Sequence, residues 1–471
     1  MIDLSLTNRA GHPLYLQIYE NIVSQIKDGR LMPGCRLPGK RSMAEQLAVA
    51  VNTVDTAYQM LLAEGYLESR PRSGFFVLPY TDTLLAAPGE KPERRVPDQH
   101  NHIRFDLSTG SVDTALFPFR TWGRIQKELL YNGEELLSHG HRSGDEDLRA
   151  AIGEYLRVYR GVECCTEQII VGAGMEYLLG LVAQLFQGST AAIENPGYIR
   201  SRTILHNCGV NCRYVDIDES GLSVDGLAQS GADLCYVTPS HHYPTGVTMP
   251  VGRRAQLLRW AAEQDGRYIL EDDYDAEFRF DMRPLPSLQG MGGGNGPVIY
   301  LCTFSKSLAP GIRIACMVLP NSLLHRWQEM FGGYANTVSR FEQQTLHRFI
   351  SDGHFTRHLA RMRKIYRARM EALSSALEES FGKERISLQG RHTGLHLLLT
   401  LHDASGESEM VRLAQQHGIR LRGLSEYYLD RRIDCPKNTV IIGYASLADH
   451  DIPELTMALQ NAWASFSGNA S

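Results

Sequence analysis

The sequence predicts an α/β protein in two parts: a large domain built on a mostly parallel sheet, and before it a small helical domain closed by a β-hairpin. Two observations carry this. Beyond Phe105, helical periodicity alternates with short apolar runs at 168–171, 191–193, 234–237, 268–270 and 298–302, the pattern of strands packed between helices. Before that point, three short amphipathic segments end in an alternating stretch at 67–77. At 471 residues the chain exceeds one ordinary core. The expected boundaries are 1–78 for the small domain, 79–104 for a linker and 105–471 for the large domain.

Taken in order, 14–27 places Ile18, Ile22 and Ile26 at four-residue spacing, an amphipathic helix stopped by Gly29. Ser42-Met-Ala-Glu45 reads as a capping box opening a second helix. Val54, Ala57, Tyr58, Leu61 and Leu62 form the inner stripe of a third, over 52–64, leaving Asn52, Asp55, Thr56 and Gln59 on the opposite face. The following hairpin carries Arg70 and Arg72. Three helices and a basic hairpin make a winged helix-turn-helix, whose polar helix face enters a major groove while wing and flanking cations hold phosphates. A small helical docking domain is the alternative, because acids nearly balance the cations here. The 79–104 segment, rich in Pro, Gly and charge, is a spacer.

Composition narrows the class. Hydrophobic residues at 43%, charged residues at 21% and a net charge of −5 describe a globular protein with no bulk attraction to nucleic acid. The absence of a long apolar run predicts a cytoplasmic protein without a membrane partner. Nine cysteines lack metal-ligand spacing, so no metal site is expected and the cysteines read as reduced packing thiols.

In the large domain, each apolar run ends in a polar or Gly-rich stretch: Gly172-Ala-Gly-Met175, Glu194-Asn-Pro-Gly-Tyr198, Thr238-Pro-Ser-His241, Glu271-Asp-Asp-Tyr274 and Thr303-Phe-Ser-Lys306. Ligands of such sheets bind at the carboxyl ends of strands. Lys306, delivered by a buried strand, is placed where desolvation frees its amine for Schiff-base chemistry. Thr303, Ser305 and Arg313 suit a phosphate, and Ala173, Gly174 and Met175 offer backbone N–H groups at a helix start. Asp272 can keep a pyridine nitrogen protonated, Tyr274 can donate to a ring oxygen and Tyr198 can stack on the ring. Together these groups fit pyridoxal 5'-phosphate.

The wording of both parts is specific. Arg36-Leu-Pro-Gly-Lys-Arg-Ser-Met-Ala-Glu-Gln-Leu47 and the stretch from Asn52-Thr-Val-Asp to Gly65-Tyr-Leu67 resemble the GntR family of winged-helix repressors. That resemblance implies Arg41, Asn52, Thr53 and Thr56 near DNA and Gly74 at the wing tip, with Lys40 and Arg72 as further DNA contacts. Gly39 stands where the family has a capping serine, and Asn52 where arginine is common. Asp106-Leu-Ser-Thr-Gly110, Glu194-Asn-Pro-Gly-Tyr198, Pro244-Thr-Gly246, Glu271-Asp-Asp-Tyr-Asp-Ala-Glu-Phe278 and Phe304-Ser-Lys-Ser-Leu-Ala-Pro-Gly-Ile-Arg313 resemble fold-type I, class I aminotransferases. The whole chain resembles the MocR/GabR regulators, which fuse the two.

The resemblance implies a DNA-binding transcriptional regulator, not a working enzyme, that senses an amine or amino acid, or pyridoxal phosphate itself, through an aldimine at Lys306. An active aminotransferase with an accessory DNA-binding domain is the alternative. It further implies operator DNA as partner, a head-to-tail homodimer and Arg200 as an effector contact, and it leaves Asp272 or Asp273 for the ring nitrogen. Tyr243 replaces the asparagine that working aminotransferases carry before Pro-Thr-Gly. The late-strand arginine that holds a substrate carboxylate is also missing: Lys437, Asn438 and Thr439 stand there, with Arg422, Arg431 and Arg432 as possible substitutes. The basic stretch 357–369 is read as a solvated helix face, with DNA contact as the alternative.

Overall fold

A computed structural model of the chain describes residues 12–79, 103–280, 285–430 and 435–468. It divides into two compact units, Met1–Asp98 and Gln99–Ser471. Nearly all of the expected linker, together with Arg431 and Arg432, lies outside the described residues.

In the first unit, α1 (Leu14–Lys27), α2 (Lys40–Leu47) and α3 (Val51–Ala63) pack around Ile18, Ile22, Val54, Ala57, Tyr58 and Leu61, all fully buried. These are the residues that helical spacing put on one face, and burying each contributes about 1.5–3 kcal/mol. Strands β1 (Arg36–Leu37), β2 (Leu67–Arg70) and β3 (Gly74–Val77) form an antiparallel sheet in the order β1-β3-β2. Tyr58 locks helix to strand: its hydroxyl donates to Pro38 O at 2.9 Å and its ring meets Phe75 edge-on at 4.9 Å. The expected capping box does not open α2. The helix begins two residues earlier, capped by Gly39 in extended conformation with no side-chain bond, because Gly costs little at that position.

The second unit opens with β4 (Phe105–Asp106). Its main sheet holds β5 (Ile169–Gly172), β6 (Thr190–Asn195), β7 (Asn211–Asp218), β8 (Gly221–Leu222), β9 (Leu234–Val237), β10 (Tyr268–Asp273), β11 (Val298–Thr303) and β12 (Ala315–Val318), in the order β5-β12-β11-β10-β9-β6-β7-β8. The central pairs, from β7 through β6, β9 and β10 to β11, are parallel, so their carboxyl ends open on one edge. Separate cores cover its two faces, one including Leu178, Val182, Ile193 and Leu301, the other Ile152, Val171 and Cys316. Cys302 and Cys316 lie opposite each other on β11 and β12 with Cα atoms 5.4 Å apart.

A smaller antiparallel sheet follows, built from β13 (Ile386–Gln389), β14 (His396–Leu401), β16 (Arg422–Gly423) and β17 (Thr439–Gly443) in the order β13-β14-β17-β16, while β15 (Ile419–Arg420) pairs with β4. The 28-residue helix His354–Phe381 packs its Met362, Tyr366, Leu373 and Leu377 on this sheet. Arg369 within it is buried between Asp113 at 2.9 Å and Asp449 at 2.7 Å, so the basic stretch is not solvated throughout. Among the described residues no helix is long and apolar enough to cross a membrane.

The end of β10 is fixed by a buried ion pair. Arg160, the last residue of the helix Glu146–Arg160, donates from Nε to Asp273 Oδ2 at 2.6 Å, from Nη2 to Ser240 Oγ at 2.7 Å and from Nη1 to Leu285 O at 3.1 Å. Removing one partner of such a pair leaves an uncompensated buried charge. Arg160→Ala is expected to destabilise the second unit by about 3–5 kcal/mol, read as a lowered urea midpoint.

Candidate functional site

A cavity of about 210 Å³ opens at the carboxyl ends of the parallel strands. Strand alternation decides what enters it. On β10, Asp272 shares the face of Leu270, and Asp273 turns to the opposite face, where Arg160 and the Tyr300 hydroxyl (2.6 Å) hold it. Burial acts to raise the Asp273 carboxyl, but Arg160, Tyr300 and Ser240 outweigh it and keep it below the usual range. Asp272 alone faces the cavity. Its Oδ2 accepts a hydrogen bond from Tyr236, and its Oδ1 is buried with no partner. Burial pushes this carboxyl up to about 7 against the lowering effect of the Tyr236 hydroxyl.

Lys306 follows β11 by three residues and bonds through Nζ to the carbonyl of Thr109. Burial lowers its amine to about 8, partly opposed by the Asp275 carboxylate. Tyr274 lines the same cavity: its hydroxyl is 3.0 Å from His241 Nδ1, which is itself 2.8 Å from Asp275 Oδ2. Desolvation pushes the Tyr274 phenol far up, so it stays a donor. Gly394 makes room for the His241 ring, since a Cβ there would collide with it.

The lip of the cavity is cationic. Arg313 takes the left-handed conformation (φ 55°), unusual for a side-chain-bearing residue, and this directs its guanidinium at Gly174. A Cβ on Gly174 would lie 2.5 Å from Arg313 Nη2, and its φ of 94° also favours glycine. Thr303 Oγ1 donates to Ser305 Oγ at 2.9 Å beside them. Glu176, in the first turn of the helix Met175–Leu185, accepts from Arg200 at 2.8 Å and from Arg313 at 3.4 Å. A single carboxylate thus occupies two cations that an anionic ligand would claim.

Of the site residues expected from sequence, Lys306, Asp272, Tyr274, Tyr198, Arg313, Ser305, Thr303, Met175 and Arg200 all line this cavity. Two backbone donors are not open as expected. The Ala173 N–H donates to Thr337 Oγ1 at 3.0 Å, and that of Gly174 to Gly172 O at 2.8 Å. Gly174 instead makes room for Arg313, and the open donors begin at Met175, in the helix's unpaired first turn. Sequence reasoning missed Thr109, Asp275 and His396 as wall residues, although two of them lie inside motifs it singled out, and it missed His241 as the partner of Tyr274 and Asp275. Tyr243 crosses the site, its hydroxyl 2.8 Å from Thr109 Oγ1 and 2.9 Å from Tyr427 Oη.

The cavity tests well against pyridoxal phosphate. It holds a buried carboxylate oxygen lacking a donor, a lysine whose neutral amine is made more accessible by burial, and a guanidinium with two hydroxyls over a glycine that admits no side chain.

In the first unit, Arg41, Asn52, Thr56 and Arg72 are exposed and Thr53 is half-exposed. Lys40 is engaged by Asp55, so it meets DNA only by giving up that pair. Gly74 is not the wing tip. It is the first residue of β3, paired with Arg70, and Pro71, Arg72 and Ser73 form the turn itself.

Comparison with known proteins agrees with this division. Residues 14–77 match the bacterial regulatory proteins of the gntR family, and residues 103–459 match aminotransferase class I and II. The HTH-type transcriptional regulator YdeL of Bacillus subtilis is 39% identical, over 96% of this chain and 97% of that protein. The probable rhizopine catabolism regulatory protein MocR of Rhizobium meliloti is 32% identical over 98% and 96%. The pyridoxine biosynthesis regulator PdxR of Corynebacterium glutamicum is 31% identical over 98% of each chain. Among solved structures, the kynurenine aminotransferase of Pyrococcus horikoshii, determined with PMP, superposes with a TM-score of 0.69 at 25% identity, covering 78% of this chain and 92% of that one. With a gntR-type DNA-binding unit joined to an aminotransferase-like unit along one chain, the protein belongs to the MocR-type family of HTH transcriptional regulators.

Proposed function

We propose that this regulator binds pyridoxal 5'-phosphate in the Lys306 cavity and reads an amine or amino-acid effector there. The supporting observation is the unpartnered Asp272 Oδ1 in the same cavity as Lys306. Bound, the cofactor supplies a carbonyl carbon for which Lys306 and an incoming amine compete, and a ring that draws electrons when its nitrogen is protonated. Asp272 accepts the ring N–H, and Tyr274 donates to the ring oxygen. Arg313, Ser305, Thr303 and the N–H of Met175 hold the phosphate, Tyr198 covers the ring, and Arg200 meets the effector. Lys306 is the nucleophile because burial favours its neutral form.

Operator DNA is bound by Arg41, Asn52, Thr53, Thr56 and Arg72, in a head-to-tail homodimer working in the cytoplasm. The effector switches DNA binding only to the extent that it binds one arrangement of the two units more tightly than the other. No catalytic turnover is required. Aminotransferases share this fold, so a working transaminase is the second reading.

An absorbance titration of the purified, cofactor-loaded protein with amines, amino acids and their β- and γ-isomers separates these readings. A response confined to one compound, without keto acid release, is the expected result. Sustained keto acid release would establish an aminotransferase. No response to any amine, with operator binding dependent on pyridoxal phosphate alone, would make the cofactor the signal.

In the cofactor-free protein Lys306 is expected to titrate near 8 rather than at the ordinary 10.5. Because the folded value is depressed, folding penalises the ammonium form. That cost is complete below about 8 and fades as pH rises toward 10.5. Reductive methylation with labelled formaldehyde, followed by an NMR pH titration with Lys306→Arg as assignment control, measures it. For the DNA-binding unit, Arg41→Ala should weaken binding to every DNA sequence alike and reduce the slope of log affinity against log salt by about 1, as read in a filter-binding series.

A further inference from the structure

Beside Tyr274 the second unit buries a histidine–carboxylate pair to which the cofactor contacts above give no role. The side chains of His241 and Asp275 are 1% and 2% exposed. His241 Nδ1 lies 2.8 Å from Asp275 Oδ2 and 3.0 Å from the Tyr274 hydroxyl, and its Nε2 is buried without a partner. The ring fills a slot that two glycines keep open: a Cβ on Gly394 would collide with it, and one on Gly246 would lie 3.5 Å from Nε2. His396, from β14, packs on the ring with centroids 4.7 Å apart and donates its own Nε2–H to Pro244 O at 2.9 Å. The neighbouring His242 is bonded through Nδ1 to Thr245 Oγ1 at 2.7 Å. Asp275 lines the Lys306 cavity, where its charge supports the ammonium form of the lysine and also acts on Asp272 and Tyr444.

The partners decide where the imidazole proton sits. A carboxylate only accepts hydrogen bonds, so the 2.8 Å contact with Asp275 places the proton on Nδ1. A ring protonated on Nε2 instead would bury an N–H with no acceptor and turn the Nδ1 lone pair on the carboxylate. Protonated on Nδ1, the ring leaves only an acceptor lone pair unmatched. It then has no lone pair to receive the Tyr274 proton, and among the described residues that hydroxyl makes no other hydrogen bond. The phenol proton is left for the cavity, and the phenol oxygen faces the imidazole N–H.

We propose that His241 and Asp275 are positioning residues that aim the Tyr274 hydroxyl into the cavity. Asp275 selects the Nδ1–H form of His241, which removes the acceptor behind the phenol, and it leaves a counter-charge beside Lys306. Pyridoxal phosphate then meets a donor already directed at its ring oxygen, so less orientation is lost on binding. This inference rests on the reading that the cofactor binds at Lys306.

The first test uses the full-length, cofactor-free protein carrying 15N-labelled histidine. The resonances of His241, identified by their loss in His241→Asn, should show a protonated Nδ1 and an unprotonated Nε2. The opposite tautomer would overturn the proposal. In the same preparation Asp275→Asn should lower the Lys306 titration by about one pH unit, and an unchanged Lys306 would overturn the counter-charge.

The cofactor-loaded protein reads the aim of Tyr274. A donor on the ring oxygen favours its ionised form, so Tyr274→Phe should raise the pH midpoint between the cofactor's absorbance bands by about one to two pH units. In a His241→Asn background, which keeps an N–H toward Asp275, at least half of that rise should remain. In His241→Leu the carboxylate loses its donor and competes for the phenol proton, so less than half should remain. An undiminished rise in His241→Leu would overturn the aim of Tyr274. Wild-type protein that takes up no pyridoxal phosphate would overturn the cofactor reading, and the histidine tautomer would then decide for or against the pair.

Discussion

The site depends on two adjacent aspartates at the end of one strand being forced apart. Successive β residues face opposite ways, so Asp272 and Asp273 cannot share an environment. Asp273 is ionised and neutralised by Arg160 behind the sheet. Asp272 is left in front with one oxygen satisfied by Tyr236 and the other by nothing. An isolated buried carboxylate is costly, and it becomes favourable when a cationic ring N–H arrives. The ion pair behind the sheet thus leaves Asp272 to face the cavity in front of it. The strand is held on both sides by parallel neighbours, so the arrangement is fixed before any ligand binds.

Charge on the lip follows the same logic in reverse. Arg313 and Arg200 would repel each other without Glu176 between them. That carboxylate sits in the first helical turn, where negative charge is favoured, and it can release the arginines one at a time. Anionic groups bound at Arg313 and at Arg200 would be coupled through this one side chain. Binding at one cation changes what Glu176 offers the other, which is a physical route for reciprocal linkage between two ligand groups.

Much of this was legible in the sequence, and the reasons for the exceptions are local. α1 and β9 fall where their spacing predicts them, since both rest on uninterrupted apolar patterns. β7 was missed because it faces solvent over most of its length, so it lacks the apolar run that marks a buried strand. Of the small antiparallel sheet only the late strand at 437–443 was singled out, because its pairing with β14 and β16 joins segments well separated in the chain. Lys306, Asp272, Tyr274 and Arg313 were visible as strand-end residues in sequence order. His241 and Asp275 were not singled out, although each lies within a stretch that was. His241 reads as the partner of Tyr274 and Asp275 only once Gly394 is seen to make room for its ring. The choice between Asp272 and Asp273 needed the register of β10 and the position of Arg160, which is 113 residues away in the chain.

The departures from a working aminotransferase also find a physical setting. Where those enzymes carry an asparagine before Pro-Thr-Gly, Tyr243 lines the Lys306 cavity, tethered at its hydroxyl by Thr109 and Tyr427. A phenol there brings more apolar surface to the cavity than an amide would, and its hydroxyl is already committed. Where those enzymes place an arginine, the late strand turns Asn438 and Thr439 into its own sheet. Both changes remove grips on a substrate and leave the lysine, the carboxylate and the phosphate lip in place. Under the proposed function, a site so altered would capture an amine with fewer contacts to orient it for turnover, and orientation supplies a large share of enzymatic rate. Retained capture with weakened orientation is what a sensor requires of an inherited catalytic pocket.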